Sequence, residues 1–224
     1  MAVTVPSLSL LEARIIGVLV EKQHTVPDTY PLTLNALTAG CNQKTSRDPV
    51  LDASESDVQA AIDQLNGFSL VIESSGGRVM RYAHNAERAL NLPSQAVALL
   101  AAMMLRGPQT AGELRVHCDR MHKFADGSAV EAFLHELTQR ADGALVAMLP
   151  RAAGARENRW MHLLSGAPAA DVAMKADAPA VPDDESLRSE IATLKAAVDS
   201  LHDEIAALRE AVAGLHAASA RGER

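Results

Sequence analysis

Residues 54–65 read Ser54-Glu55-Ser56-Asp57-Val58-Gln59-Ala60-Ala61-Ile62-Asp63-Gln64-Leu65. Val58, Ala61, Ile62 and Leu65 recur at i, i+3, i+4 and i+7, which lines them along one face of a helix. Ser54 stands three residues before Asp57, the spacing at which a hydroxyl and a carboxylate each satisfy a backbone N–H at a helix start. The same stripe returns at Val130, Phe133, Leu134 and Leu137, behind Ser128 and Glu131. Two helices patterned alike suggest one plan used twice, rather than two unrelated small α+β domains.

The flanks of each stripe agree. Upstream of the first lies a helical pattern at Leu11, Ile15, Ile16, Leu19 and Val20, then a shorter helix at 32–39 and a polar loop at 41–53. Upstream of the second, Val97, Leu100, Ala101 and Met104 form a helix that Gly107-Pro108 stops, and Leu114, His117 and Cys118 mark a short one. Ser9 with Glu12 and Thr110 with Glu113 repeat the capping spacing. Downstream, Leu70-Val71-Ile72 and Val79-Met80-Arg81-Tyr82 flank Gly76-Gly77 as a β-hairpin. Residues 145–149 and 159–163 form a second hairpin around Gly154. Helix, helix, helix, hairpin is the winged-helix order. The expected fold is α+β and mostly helical: a winged-helix domain at 1–90, a second at 91–166, and a C-terminal coiled coil.

The coiled coil follows an Ala-, Pro- and Asp-rich linker at 167–185. Leu187, Leu194, Leu201, Leu208 and Leu215 fall at heptad d, and Ile191, Val198, Ile205 and Val212 at heptad a. β-branched residues at a with Leu at d favour two parallel strands, and Glu190 with Lys195 and Glu204 with Arg209 have the spacing of pairs between them. A parallel homodimer through 186–217 is therefore expected, with a short tail at 218–224. The alternative is an amphipathic helix folded back on its own chain.

Composition narrows the classes. The chain has 224 residues and a formal charge of −7, which gives no global attraction to nucleic acid or anionic membrane. Aromatics are 3% of residues, so the cores are aliphatic. Two cysteines, Cys41 and Cys118, are too few for a disulfide framework and suit a reducing compartment. Glu12 and Arg14 interrupt the first apolar stretch, so no signal peptide is read there. No apolar run is long enough for a membrane span, and a cytoplasmic location is expected.

Leu11-Glu12-Ala13-Arg14-Ile15-Ile16-Gly17, the run from Cys41 to Val50, Leu105-Arg106-Gly107-Pro108-Gln109-Thr110 and Arg159-Trp160-Met161-His162-Leu163 resemble the YceH family of uncharacterised bacterial proteins. The likeness spans roughly 8–166 and implies tandem winged helices. It supplies no reaction, substrate or partner.

A winged helix usually offers its third helix to the major groove and its wing to the backbone. Here the third helices are poor in cations: the first carries Glu55, Asp57 and Asp63 and no Lys or Arg, with Gln59 and Gln64 to read an adenine edge, and the second carries Glu131 and Glu136 against Arg140 and His135. Basic residues lie elsewhere, at Lys44 and Arg47 in the polar loop, Arg78 and Arg81 at the first wing, and Arg151, Arg156 and Arg159 at the second. Arg106, Arg115, Arg120 and Lys123 surround the second short helix. Double-stranded DNA held by its backbone through wings and loops is the favoured partner, and a protein docked on the acidic third helices is the alternative. No enzyme, cofactor or metal is expected. His117, Cys118 and His122 have partial metal-ligand spacing but no second ligand pair, and Cys41 beside Lys44 is read as a buried thiol rather than an activated one. No phosphate loop or nucleophile elbow occurs.

Overall fold

The computed structural model describes residues 7–75, 79–151 and 154–166. The expected linker at 167–185, the heptad helix at 186–217 with all its dimerisation residues, the tail, and Gly76, Gly77 and Arg78 lie outside the described residues. What is described is an α+β structure of seven α-helices and two small antiparallel sheets, about half helical.

The first half runs α1 (Leu10–Thr25), a 3-10 turn (Pro27–Thr29), β1 (Leu32–Thr33), α2 (Leu34–Cys41), α3 (Glu55–Gly67), β2 (Val71–Ser74) and β3 (Arg81–His84). A short α4 (Ala86–Ala89) leads to the second half: α5 (Ser94–Arg106), α6 (Ala111–Cys118), α7 (Gly127–Thr138), β4 (Val146–Met148) and β5 (Trp160–His162). In the first half β1 pairs with β3, which pairs with β2, setting Leu32 opposite Tyr82 and Val71 opposite His84. In the second half β4 pairs with β5, and an isolated bridge joins Gln109 to Trp160. Each half thus returns the segment between its first two helices to the second strand of its hairpin.

Helix starts follow local chemistry. Ser9, Ser54 and Thr110 form reciprocal capping boxes with Glu12, Asp57 and Glu113. The box expected at Ser128 does not form. Asp126 caps α7 instead, accepting from Ala129 N–H at 2.8 Å, because its carboxylate already stands three residues before that orphan donor. The second helix begins at Leu34 rather than residue 32, since Thr33 caps it and Leu32 is drawn into the sheet. The return strand of the first hairpin occupies 81–84 rather than 79–82, a shift that buries Tyr82 and leaves Val79 and Met80 exposed. Gly107 ends α5 with a φ of +73°, a conformation that suits glycine.

The two halves share one core. α1 and α5 pack side by side, and both are buried around nearly their whole circumference, from Ala13 to Val20 and from Ala96 to Leu105. The one-sided stripes expected of these helices are half of the arrangement. One face meets the helices of its own half and the other meets the opposite half, so apolar residues surround the axis. Leu8 N–H donates to Leu164 O at 2.6 Å and Asp48 N–H to Leu105 O at 2.8 Å, tying the halves through their backbones as well.

Candidate nucleic-acid interface

The polar loop after α2 is built by arginines that face inward. Arg14 has no exposed surface, and it donates to Cys41 O at 3.2 Å, where the loop begins, and to Pro49 O at 2.7 Å, further along it. Asn42 closes the loop further, donating to Ala53 O and accepting from Ala53 N–H. Arg47 is buried and donates to both Glu21 carboxylate oxygens at 3.2 and 2.6 Å, to Gly40 O at 3.2 Å, to Ser46 O at 2.9 Å and to Gln43 Oε1 at 2.5 Å. Burial alone would raise the Glu21 pKa, but the Arg47 hydrogen bonds and charge, with Lys22 beside it, hold it below the ordinary value. Arg47, expected as a phosphate contact, is thus buried and engaged within the fold. Every nitrogen of the Arg47 guanidinium donates to one of these partners, which offsets its burial. Lys44 on the same loop stays exposed.

The other expected contacts divide. Gln59 is half-buried, accepts from Tyr82 OH at 2.9 Å and donates to Asp63 Oδ1 at 2.9 Å, so its amide is engaged within the fold. Gln64 is exposed on α3. Arg81 is exposed, but it donates to Pro31 O at 2.7 Å and Thr29 O at 3.3 Å, clamping the turn before β1. Arg151, Arg156 and Arg159 are exposed around the second hairpin, and no ion pair or side-chain hydrogen bond engages them among the described residues. Arg115, Arg120 and Lys123 are similarly exposed on and beyond α6. The free cations thus gather on the second half.

The first half presents something different. α3 keeps Glu55, Asp57 and Asp63 exposed, and hydrogen bonds from the Ser54 hydroxyl and N–H hold the Asp57 carboxyl below its ordinary pKa. Near it Phe68, Ile72, Val79 and Met80 are each more than 40% exposed, a concentration of apolar surface around one hairpin.

The His117, Cys118 and His122 cluster does not converge. His117 Nδ1 meets Gln109 Oε1 at 2.5 Å, Cys118 Sγ turns inward to Ala98 O at 3.4 Å, and His122 packs edge-on against Phe124. Cys41 and Cys118 each close the second helix of their half, and burial pushes both thiols up to about 12. Arg14 and Arg47 pull Cys41 down by less than burial raises it. The thiols are core residues.

Sequence reasoning missed a cleft between the halves. It lies among the end of α1, the polar loop, the end of α5 and α6, encloses about 230 Å³, and is lined by Lys22, Arg106, His117 and Arg120 among others. A second chamber of about 340 Å³ adjoins it through Ser46, Arg106 and His117. The only hint in the sequence was the cluster of cations around the second short helix.

A family model described as "Protein of unknown function, DUF480" matches residues 8–155. A UPF0502 protein of Dechloromonas aromatica (strain RCB) is 58% identical over 200 residues, covering 88% of this chain and 94% of that one. A UPF0502 protein of Burkholderia ambifaria is 66% identical over 159 residues, covering 71% and 67%. A third, of Methylibium petroleiphilum, is 57% identical over 189 residues, covering 84% and 80%. These matches agree with the resemblance drawn from Leu11–Gly17, Cys41–Val50 and Leu105–Thr110: the chain belongs to the DUF480 family, among the UPF0502 proteins.

Proposed function

We propose that this protein is a non-enzymatic, DNA-associated protein that carries two winged-helix heads and grips the duplex backbone mainly through the second. The observation that carries this reading is the set of exposed, unengaged cations around the second hairpin and α6, at Arg151, Arg156, Arg159, Arg115, Arg120 and Lys123. The repeated topology supports the winged-helix assignment, because the strand or bridge between the first two helices returns to the hairpin at Leu32–Tyr82 and at Gln109–Trp160. Phosphate neutralisation supplies most non-specific affinity, and each contact adds roughly 0.9 to the slope of log K against log salt.

A mobility shift on random duplex tests it. Binding should weaken steeply with salt, and Arg151→Glu with Arg156→Glu should abolish it while leaving the fold intact. No shift at low salt would sink the reading. The heptads at 187–215 would join two such proteins in parallel and raise avidity. Light scattering should then report twice the chain mass, falling to a single chain when residues 185–224 are removed.

The second reading, a protein-docking adaptor, is favoured by the acidic α3 and the apolar surface at Phe68, Ile72, Val79 and Met80. It predicts that Ile72→Ser and Met80→Ser disrupt a protein complex while leaving duplex binding unchanged.

A further inference from the structure

We propose that the cleft between the two halves is a binding site for a small, freely diffusing phosphate-bearing anion, anchored by the Arg106 guanidinium. This inference does not depend on DNA binding. Arg106 is the last residue of α5, partly buried, and lines both chambers. Among the described residues no carboxylate lies within ion-pair distance of it and no acceptor receives its hydrogen bonds. Burial lowers its pKa, so the pocket withholds some of the solvation a guanidinium ordinarily has. A positive group held there without a partner leaves room for a counter-charge from outside the chain.

The charge around it points to a multivalent anion. Lys22, Arg106, Arg120 and Arg159 line the two chambers beside Arg47, whose own donors are spent within the fold, against the carboxylates of Glu21, Asp48 and Glu113. Two of those carboxylates are already engaged. Glu21 receives Arg47 at 2.6 Å and Lys22 at 3.3 Å, and Glu113 caps α6 at Thr110 N–H. A chain of net charge −7 therefore concentrates an excess of cations in one recess.

Neutral donors converge as well. Thr45 and Ser46 bring hydroxyls from the loop, and His117 faces both chambers. Gln109 donates its amide N–H to Ala102 O and Gly107 O, so its oxygen accepts from His117 Nδ1–H. That leaves His117 Nε2 for the pocket. Guanidinium, ammonium and hydroxyl donors arriving from separate elements suit a tetrahedral oxyanion with several acceptors better than a planar carboxylate. The chambers are close in size to small-molecule sites of about 300–1,000 Å³ and meet at Arg106, so a phosphate at the junction would leave space for an organic body.

The test is phosphorus NMR and thermal unfolding of the full chain with pyrophosphate, against chloride at equal ionic strength. Saturable line broadening and a rising Tm are expected. Arg106→Gln should weaken pyrophosphate binding roughly tenfold or more, the worth of a charge-assisted hydrogen bond. Should Arg106→Gln fail to fold, Ser46→Asp serves. Ser46 is exposed at a φ of 60°, a conformation Asp tolerates, and the new carboxylate at the junction should abolish binding. Arg88→Gln, exposed and lining neither chamber, should bind unchanged. Absence of saturation, or undiminished binding by both cleft variants, would overturn the proposal. So would a short DNA duplex that displaces pyrophosphate and loses its own binding in Ser46→Asp, because the cleft would then hold backbone phosphate.

Discussion

Gly17 of α1 lies directly against Leu105 of α5, so that a β-carbon at position 17 would come within 2.9 Å of Leu105 Cγ and 3.3 Å of Ala101 O. The close approach of these helices lets the two halves share one core. Gly17→Ala should therefore destabilise the protein by about 1–3 kcal/mol through overpacking, read as a lower denaturant midpoint. Gly67, at the end of α3, has open space where its β-carbon would stand. Gly67→Ala should be neutral or stabilise by up to about 1 kcal/mol. Equal losses at both positions would refute the packing argument.

Arg47 ties the polar loop to α1 within the first half. Its removal would leave Gly40 O without this donor and the Glu21 carboxylate with Lys22 alone, at the base of the cleft. Arg47→Met should cost about 2–3 kcal/mol, discounted from a fully buried pair because Glu21 retains some solvent contact. Arg47→Met with Glu21→Gln should recover part of that loss, since no uncompensated charge remains. A double-mutant cycle on urea midpoints checks the coupling.

Two imidazoles should make the fold acid-sensitive. Burial pushes both His84 and His162 down to about 4. His84 is also fixed as a neutral tautomer, with Nε2 toward Gln23 Oε1 and Nδ1 accepting from Ala86 N–H. Between about pH 6.5 and about pH 4 the unfolded chain binds a proton at each site and the folded chain does not. Stability should fall as pH drops through that window and level off below it. His162→Gln should flatten part of the slope in Tm against pH, and an unchanged slope in both His84→Gln and His162→Gln would contradict the assignment.

Cys41 and Cys118 should resist thiol reagents in the native protein at mildly alkaline pH, because burial keeps both protonated and covered. Both should react fully in denaturant. Fast native labelling of either would show that the second helix of its half opens independently of the core.

Patterns set by local physics were legible in the sequence. Each helix and hairpin described was expected within a few residues, except α4 and the short strand at Leu32–Thr33, which are too brief to show a period. Capping boxes at Ser9, Ser54 and Thr110 followed from spacing alone, because cap and helix start lie within one turn. The aliphatic stripes of α3 and α7 were legible for the same reason: one helical turn brings i and i+4 together whatever surrounds them.

What the fold did with charge was decided by tertiary contact. In the sequence Arg47 and Arg156 were equivalent surface cations, yet one is enclosed beside Glu21, 26 residues away, and the other faces solvent. The recess around Arg106 exists because α1 and α5 pack in contact and the polar loop closes over their ends. The sequence alone determined the elements and the aliphatic character of the core. Only packing between distant segments decided which cations became struts and which stayed free, since the cost of burying a charge depends on partners that no local pattern specifies.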